Sequence, residues 1–221
     1  STVNNTICQP LLLAGAMKSL DLREVPSYII NMDSQPDRLV LALSRLKELG
    51  VTPERFRATA YEGVTGTASQ QGFLGCAQSH YNLLENAVAP LLILEDDIVP
   101  TEHWYPILEV PDKVDLVYLG VSNWGYVSPD MSRSYHGVVV GAQYDENFKR
   151  VYNMCSTHAI LYMNDEVIET VKESTQQCID MPTPFDMGMA RLQTKAVVVT
   201  PNKPMVYQED IPQFTNFILE V

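Results

Sequence analysis

Residues 90–100 read Pro90-Leu91-Leu92-Ile93-Leu94-Glu95-Asp96-Asp97-Ile98-Val99-Pro100. The continuous apolar run suits a strand covered on both faces. It ends in three carboxylates, which at the carboxyl end of a buried strand repel one another and lose solvation. Raised pKa values or a cation must compensate. In open α/β sheets the carboxyl ends of strands are also where ligands sit. Hard divalent ions such as Mn²⁺ or Mg²⁺ prefer carboxylate oxygen and retain open positions for ligand phosphates. The plain alternative is a solvated turn after a strand. Against it, Ile98, Val99 and Pro100 resume apolar character at once, so the acids interrupt a hydrophobic segment instead of beginning a polar loop. Alternation along extended chain puts Glu95 and Asp97 on one side and Asp96 on the other. Asp97 can then meet a metal while another acid meets a sugar or ribose hydroxyl.

Working outward, Tyr28-Ile29-Ile30 reads as a short buried strand after Pro26, followed by a turn at Asn31-Met32-Asp33-Ser34. Ser34 or Asp33 can cap a helix with Pro36 in its first turn. Leu39, Leu43, Leu46 and Leu49 then recur at helical spacing, with Gly50 as the stop. Phe56 to Ala60 reads as a second strand, ending at Tyr61-Glu62-Gly63. A Gly/Thr/Ser/Gln-rich loop from Gly63 to Gly72 leads to a helix over about Phe73 to Val88. Beyond the acids, Leu116 to Leu119 is another buried strand. Residues 120–153 are rich in aromatics, Gly, Ser and Asn, and the runs Val138-Val139-Val140 and Lys149 to Tyr152 suggest a hairpin. Ala159 to Tyr162 reads as strand, Asp165 to Gln177 and Phe185 to Leu192 as helices, and Ala196 to Val199 as a last core strand. This alternation favours a single α/β domain with a mainly parallel central sheet flanked by helices. Residues 1–24, weakly periodic, read as an N-terminal arm.

The chain has 221 residues and 24.8 kDa, and its 46% hydrophobic content is enough for a full core. Fifteen basic against 27 acidic residues give a net charge of −12, which argues against nucleic acid or anionic lipid as partner. Phosphorylated ligands stay open, because a bound metal supplies local positive charge. No stretch approaches the roughly 18 apolar residues of a membrane span. Ser1 in place of Met suggests a processed or trimmed start. Cys8, Cys76, Cys155 and Cys178 are scattered, without C-x-x-C or a zinc-spaced His pair, and read as reduced thiols. The expectation is a soluble, cytoplasmic protein.

A second motif precedes the acids: Gly75-Cys76-Ala77-Gln78-Ser79-His80 on the second helix. Its small residues permit close backbone approach. On its own it reads as core packing, with Cys76 a small core residue and His80 structural.

Together, three segments resemble the glycosyltransferase family 25 type, which includes lipooligosaccharide and collagen galactosyltransferases. Tyr28 to Asp33 with Asp37-Arg38 is similar to the family's opening v-I-N-L element, residues 75–80 match G-C-x-x-S-H, and Leu92 to Asp97 match its hydrophobic-E-D-D element. Ser156-Thr157-His158-Ala159 and Pro184-Phe185-Asp186 echo two later motifs. Cys155-Ser156 replaces the usual Gly, and residues 120–153 match nothing in the pattern. The resemblance implies a GT-A fold, with a nucleotide-binding half over about residues 25–120 and an acceptor half over about 121–221. It also implies a UDP-sugar donor, most often UDP-galactose or UDP-glucose, Mn²⁺ (or Mg²⁺) on the diphosphate, and inversion at the anomeric centre.

On that reading Asp97, helped by Asp96 or Glu95, holds the metal, and His158 is a further candidate ligand. Ile30, Asn31 and Met32 hold the nucleoside, with Glu62 lining the uridine pocket and Arg38 near phosphate or the acids. Asp186 is the candidate base, removing the proton of a carbohydrate or protein hydroxyl acceptor. Each has a plainer reading: a helix-surface ion pair for Arg38, solvent exposure for Glu62, a helix-start dipole partner for Asp186. Trp124 and Tyr126 either stack on a sugar or pack the hairpin. Two other classes fit the same acids: a catalytically silent nucleotide- and metal-binding module, and a metal-dependent nucleotide-sugar hydrolase.

Overall fold

The computed structural model describes residues 15–61, 67–209 and 216–219. The chain opens with β1 (Met17–Asp21), β2 (Ser27–Asn31), α1 (Pro36–Glu48), β3 (Glu54–Arg57) and α2 (Ala68–Leu84). Then come β4 (Leu91–Glu95), β5 (Ile98–Pro100), β6 (Ile107–Pro111), β7 (Leu116–Tyr118), β8 (Tyr126–Val127) and β9 (Ser134–Tyr135). β10 (Val138–Gln143), β11 (Phe148–Tyr152) and β12 (Ala159–Tyr162) lead to α3 (Asp165–Asp180) and α4 (Phe185–Leu192), and β13 (Val198–Pro201), β14 (Val206–Gln208) and β15 (Asn216–Leu219) close the described chain.

Nine strands form one sheet in the order β15-β10-β11-β13-β7-β12-β4-β2-β3, and β1-β6, β14-β5 and β8-β9 pair separately. The sheet is mixed, which corrects the expectation of a mainly parallel one. β12 lies antiparallel to both β4 and β7, and β11 to both β10 and β13. The three small pairs are antiparallel as well. The reason lies between Tyr118 and Ala159, where the chain contains no helix. A crossover helix is the usual element that carries the chain back to a sheet's starting edge and makes neighbours parallel. β11 is instead the return arm of a hairpin. β12 starts at Ala159 opposite Leu94, at the carboxyl end of β4, and runs back along it.

β4 is buried as its composition requires. Leu91 to Leu94 are at most 1% exposed. Leu92 and Leu94 pack into one core cluster with Ala42 and Leu46 of α1, while Leu91 and Ile93 pack into the other with residues of α2, α3 and α4. The described part of the expected N-terminal arm is not an appendage: β1 pairs with β6, and Leu20 and Leu22 join the first cluster.

Two helix starts differ from expectation. α1 has Pro36 at its first turn, but Gln35 is its N-cap and no side chain caps it. Asp33 is taken by Arg55 and Arg57 of β3 instead. α2 begins before Phe73, because Thr67 and Gln70 form a reciprocal capping box. At the other end of α1, Gly50 adopts φ +77°, the left-handed conformation expected of a helix stop.

The Pro-rich tail is anchored beside the site. β14 pairs with β5, and Gly120 passes so close that a Cβ there would run into the Val206 carbonyl. Gly120→Ala is expected to destabilise the protein by about 1–3 kcal/mol through this overpacking. Chemical denaturation checks it: the midpoint falls with unchanged slope, and an unmoved midpoint would contradict the close approach.

Candidate functional site

β2, β3 and β4 are parallel neighbours, so their carboxyl ends share one edge. Ile30 stands opposite Glu95 and Asn31 opposite Arg57, which puts the turn after β2 beside the acids after β4. A cleft of about 440 Å³ opens there, lined by Ile30, Asn31, Met32, Arg38, Glu95, Asp96 and Asp97 together with Tyr61 and parts of α2. Of the residues expected around nucleotide and metal, the cleft gathers all but two. Glu62 lies outside the described residues. His158 lines neither this cleft nor the one beside it.

Each carboxylate has its own partners. Glu95 accepts from Thr157 Oγ1 at 3.0 Å and lies 3.3 Å from His80 Nε2. The His80 ring is buried and stacked on Phe185, with centroids 3.9 Å apart. Burial works to raise the Glu95 carboxyl, but His80, His158 and Thr157 together hold it below its ordinary value. These partners favour the ionised form of Glu95.

Asp96 accepts from Asn31 Nδ2 at 2.7 Å and has Arg38 Nε at 3.5 Å. Asn31 also donates to the Gln35 carbonyl and accepts from Arg55 Nε at 3.0 Å. Its amide is thus occupied in positioning Asp96 and the turn, although it sits in the cleft wall where a ribose contact was expected. Arg38 bridges the acids instead of a distant surface partner, reaching Asp97 at 3.7 Å.

Asp97 is the strained member. Burial, then the Glu95 charge, push its carboxyl up to about 7; Arg38 opposes this and Asp96 adds to it. Oδ2 accepts from Gln208 Nε2 at 3.2 Å, while the buried Oδ1 has no hydrogen-bond partner among the described residues. The three acids do not converge as one donor set, but a partnerless Asp97 oxygen with Asp96 next to it in the chain offers the hard oxygen donors a divalent cation takes. Asp97 and Asp96 fit that role.

His158 does not join them. It is buried, its Nδ1 lies 2.9 Å from Ser156 Oγ, and a Cβ on Gly120 would come within 3.0 Å of its Nε2. Burial pushes it down to about 4, with Glu95 and the Val206 carbonyl opposing only in part. It is a neutral ring packed beneath the acids, and its backbone carbonyl accepts from the Glu95 N–H at 2.8 Å.

A second cleft, of about 450 Å³, adjoins the first through the shared walls Cys76 and Glu95. Asp186 lines it from the first turn of α4, with burial and the Glu95 charge raising its carboxyl and the Met187 N–H opposing. Trp124, Ser134 and His136 come from the region that matched no pattern. Cys76, Cys155 and Cys178 are free thiols; the first faces both clefts, and Cys8 lies outside the described residues. Cys76, His80 and Glu95 could group around an ion, with their ligand atoms within 4.8 Å. Arg55 and Gln208 escaped the sequence reading. Arg55 alternates like any strand residue, and Gln208 sits in the tail, so only the tertiary fold shows Arg55 against Asn31 and Asp33 and Gln208 against Asp97.

No helix among the described residues is long and apolar enough to cross a membrane. Neither a protein-family model nor a curated protein matches the chain.

The Asp97 environment predicts a pH signature. Because its folded pKa lies above its unfolded value of 3.8, its contribution to stability is fully present only below that value and is lost progressively as pH rises to about 7. Asp97→Asn removes the charge and hence this loss. Without added metal, thermal melts should show the variant more stable than wild type at about pH 8, with the gain shrinking steadily below pH 7 and gone only below about pH 4. A gain independent of pH would contradict the assignment.

Proposed function

We propose that the protein is a metal-dependent inverting glycosyltransferase of GT-A type, moving a hexose from a UDP-sugar to a hydroxyl acceptor. The observation carrying this reading is the pair of adjoining clefts. One holds the acids and Arg38, the other holds Asp186, and Glu95 and Cys76 stand between them. A two-substrate displacement needs this division: a polar seat for a leaving diphosphate on one side and a carboxylate base on the other. The strand-end position of the first cleft is where open α/β sheets bind nucleotides.

Asp97 and Asp96 would hold the divalent cation, which when bound supplies positive charge to the departing diphosphate. Arg38, 37% exposed at the cleft, adds a fixed positive charge there. Ile30 and Met32 contribute the cleft wall for the nucleoside, and Asn31 keeps Asp96 in place. On the other side Asp186 takes the acceptor hydroxyl proton. The acceptor oxygen bonds to the anomeric carbon as the bond from that carbon to the diphosphate oxygen breaks, its electron pair leaving with UDP. Attack opposite the leaving group inverts the centre. The raised Asp186 carboxyl strengthens it as a base.

UDP with Mn²⁺ is expected to raise the melting temperature and chelator to cancel the rise; at 100 times Kd the gain is about 2.7 kcal/mol. Asp97→Ala should abolish the Mn²⁺-dependent part, and an unchanged shift removes Asp97 from the metal site. Donor turnover then separates the classes. Transfer of the hexose to an added glycoside marks a transferase, release of free hexose alone a hydrolase, and binding without turnover a silent module. Asp186→Asn should lower kcat by about 10²–10⁴-fold while leaving the UDP shift intact; retained turnover across pH would place the base elsewhere.

A further inference from the structure

Cys76 and His80 have no part in the chemistry derived above, although they stand where the two clefts meet. They lie four residues apart on α2, hence on one face of that helix, and Glu95 ends β4 with a carboxylate oxygen 3.3 Å from His80 Nε2. A sulfur, a ring nitrogen and a carboxylate oxygen of the three all lie within 4.8 Å of one another. Core packing does not explain the group. Cys76 is exposed in the wall common to both clefts, and all three residues line the first.

The spacing suits a tetrahedral ion. Zn²⁺ with bonds of about 2.0 Å to nitrogen and oxygen and about 2.3 Å to sulfur holds its ligand atoms about 3.3–3.6 Å apart. The 3.3 Å between His80 Nε2 and Glu95 Oε1 matches such an edge and is long for a charge-assisted hydrogen bond. The ring can also take the required tautomer. His80 Nδ1 is buried and accepts from no donor among the described residues, so the ring proton can sit there and leave Nε2 its lone pair. The sulfur, within 4.8 Å of the other two atoms, has only a small distance to close. Carboxylates outnumber fixed cations in both clefts that share Cys76, so the site lies in a field that draws a cation.

Ligand softness separates this group from the acids beyond it. Asp96 and Asp97 offer only hard oxygen, which suits Mn²⁺ or Mg²⁺, whereas a thiolate selects Zn²⁺ and similar borderline or soft ions. We propose that Cys76, His80 and Glu95 form a second metal site, one that takes a thiophilic divalent cation of the Zn²⁺ class. On binding, the sulfur–zinc bond forms as the thiol proton is displaced to solvent. Three protein ligands leave a fourth position for water. The site stands whether or not the protein transfers a sugar.

Co²⁺ added to the full reduced chain is the probe, because a cobalt–thiolate bond gives a near-ultraviolet charge-transfer band that carboxylate ligands do not. Excess Mg²⁺ fills the oxygen sites. Wild type should develop the band to saturation, and Zn²⁺ should abolish it. Cys76→Ser should lose the band, while Asp97→Asn and Cys155→Ser should each keep it. Glu95→Gln should weaken Zn²⁺ binding by about 10-fold or more, since even indirect partners of a metal cost that much. No band from wild type, a band kept by Cys76→Ser, or a band lost in Asp97→Asn or Cys155→Ser would each overturn the proposal. Should Cys76→Ser fail to fold in a metal-free melt, full Zn²⁺ affinity in Glu95→Gln overturns it instead. A UDP–Mn²⁺ thermal shift on the same samples tests the transferase reading separately, and its absence leaves the zinc site standing.

Discussion

Three neighbouring carboxylates stand at the end of β4, and five separate parts of the chain hold them. His80 of α2 and Thr157 ahead of β12 attend Glu95, Asn31 at the end of β2 holds Asp96, and Gln208 of β14 reaches Asp97. Arg38 of α1 spans the last two. Neighbouring like charges repel, by about 4 kcal/mol at 4 Å for an effective dielectric near 20. A hydrogen bond to a charged group returns about 1.5–3 kcal/mol. One bond to each acid therefore offsets much of the repulsion but not all of it. The remainder collects at Asp97, the acid with a partnerless oxygen and a carboxyl raised to about 7. A divalent cation is the species that would reverse that balance.

The same tip organises the rest of the molecule. Because β12 runs against β4, its leading segment, Ser156 to His158, arrives beside Glu95 instead of at the far edge of the sheet. Because β14 pairs with β5 just beyond the acids, the tail is carried back to Asp97. α4 starts at Phe185, stacked on His80, which places Asp186 in the neighbouring cleft. Two cavities therefore meet at Glu95.

Much of this was readable from residue order. The apolar run into Glu95-Asp96-Asp97, the strand before Asn31 and the helix from Phe185 are strong local patterns, and the structure places them as expected. Strand direction was not readable. Leu116 to Tyr118 and Ala159 to Tyr162 are equally apolar, and composition alone does not distinguish a strand reached by a helix from one entered at the carboxyl edge. The position of His158, which lines neither cleft, was not readable for a related reason. A histidine ahead of a strand has the right chemistry for a ligand, but its neighbours in space, Gly120 and Ser156, enclose it. Gln208 and Arg55 carry no signal that separates them from surface residues. They matter only because the fold brings the tail to Asp97 and an edge strand to Asn31.

The most direct test of the account is anomalous diffraction at the manganese edge from crystals grown with UDP and Mn²⁺. The account predicts a single strong peak in contact with an Asp97 carboxylate oxygen and a UDP phosphate. Bound UDP with no manganese peak at Asp97 and the three acids unmoved would contradict it.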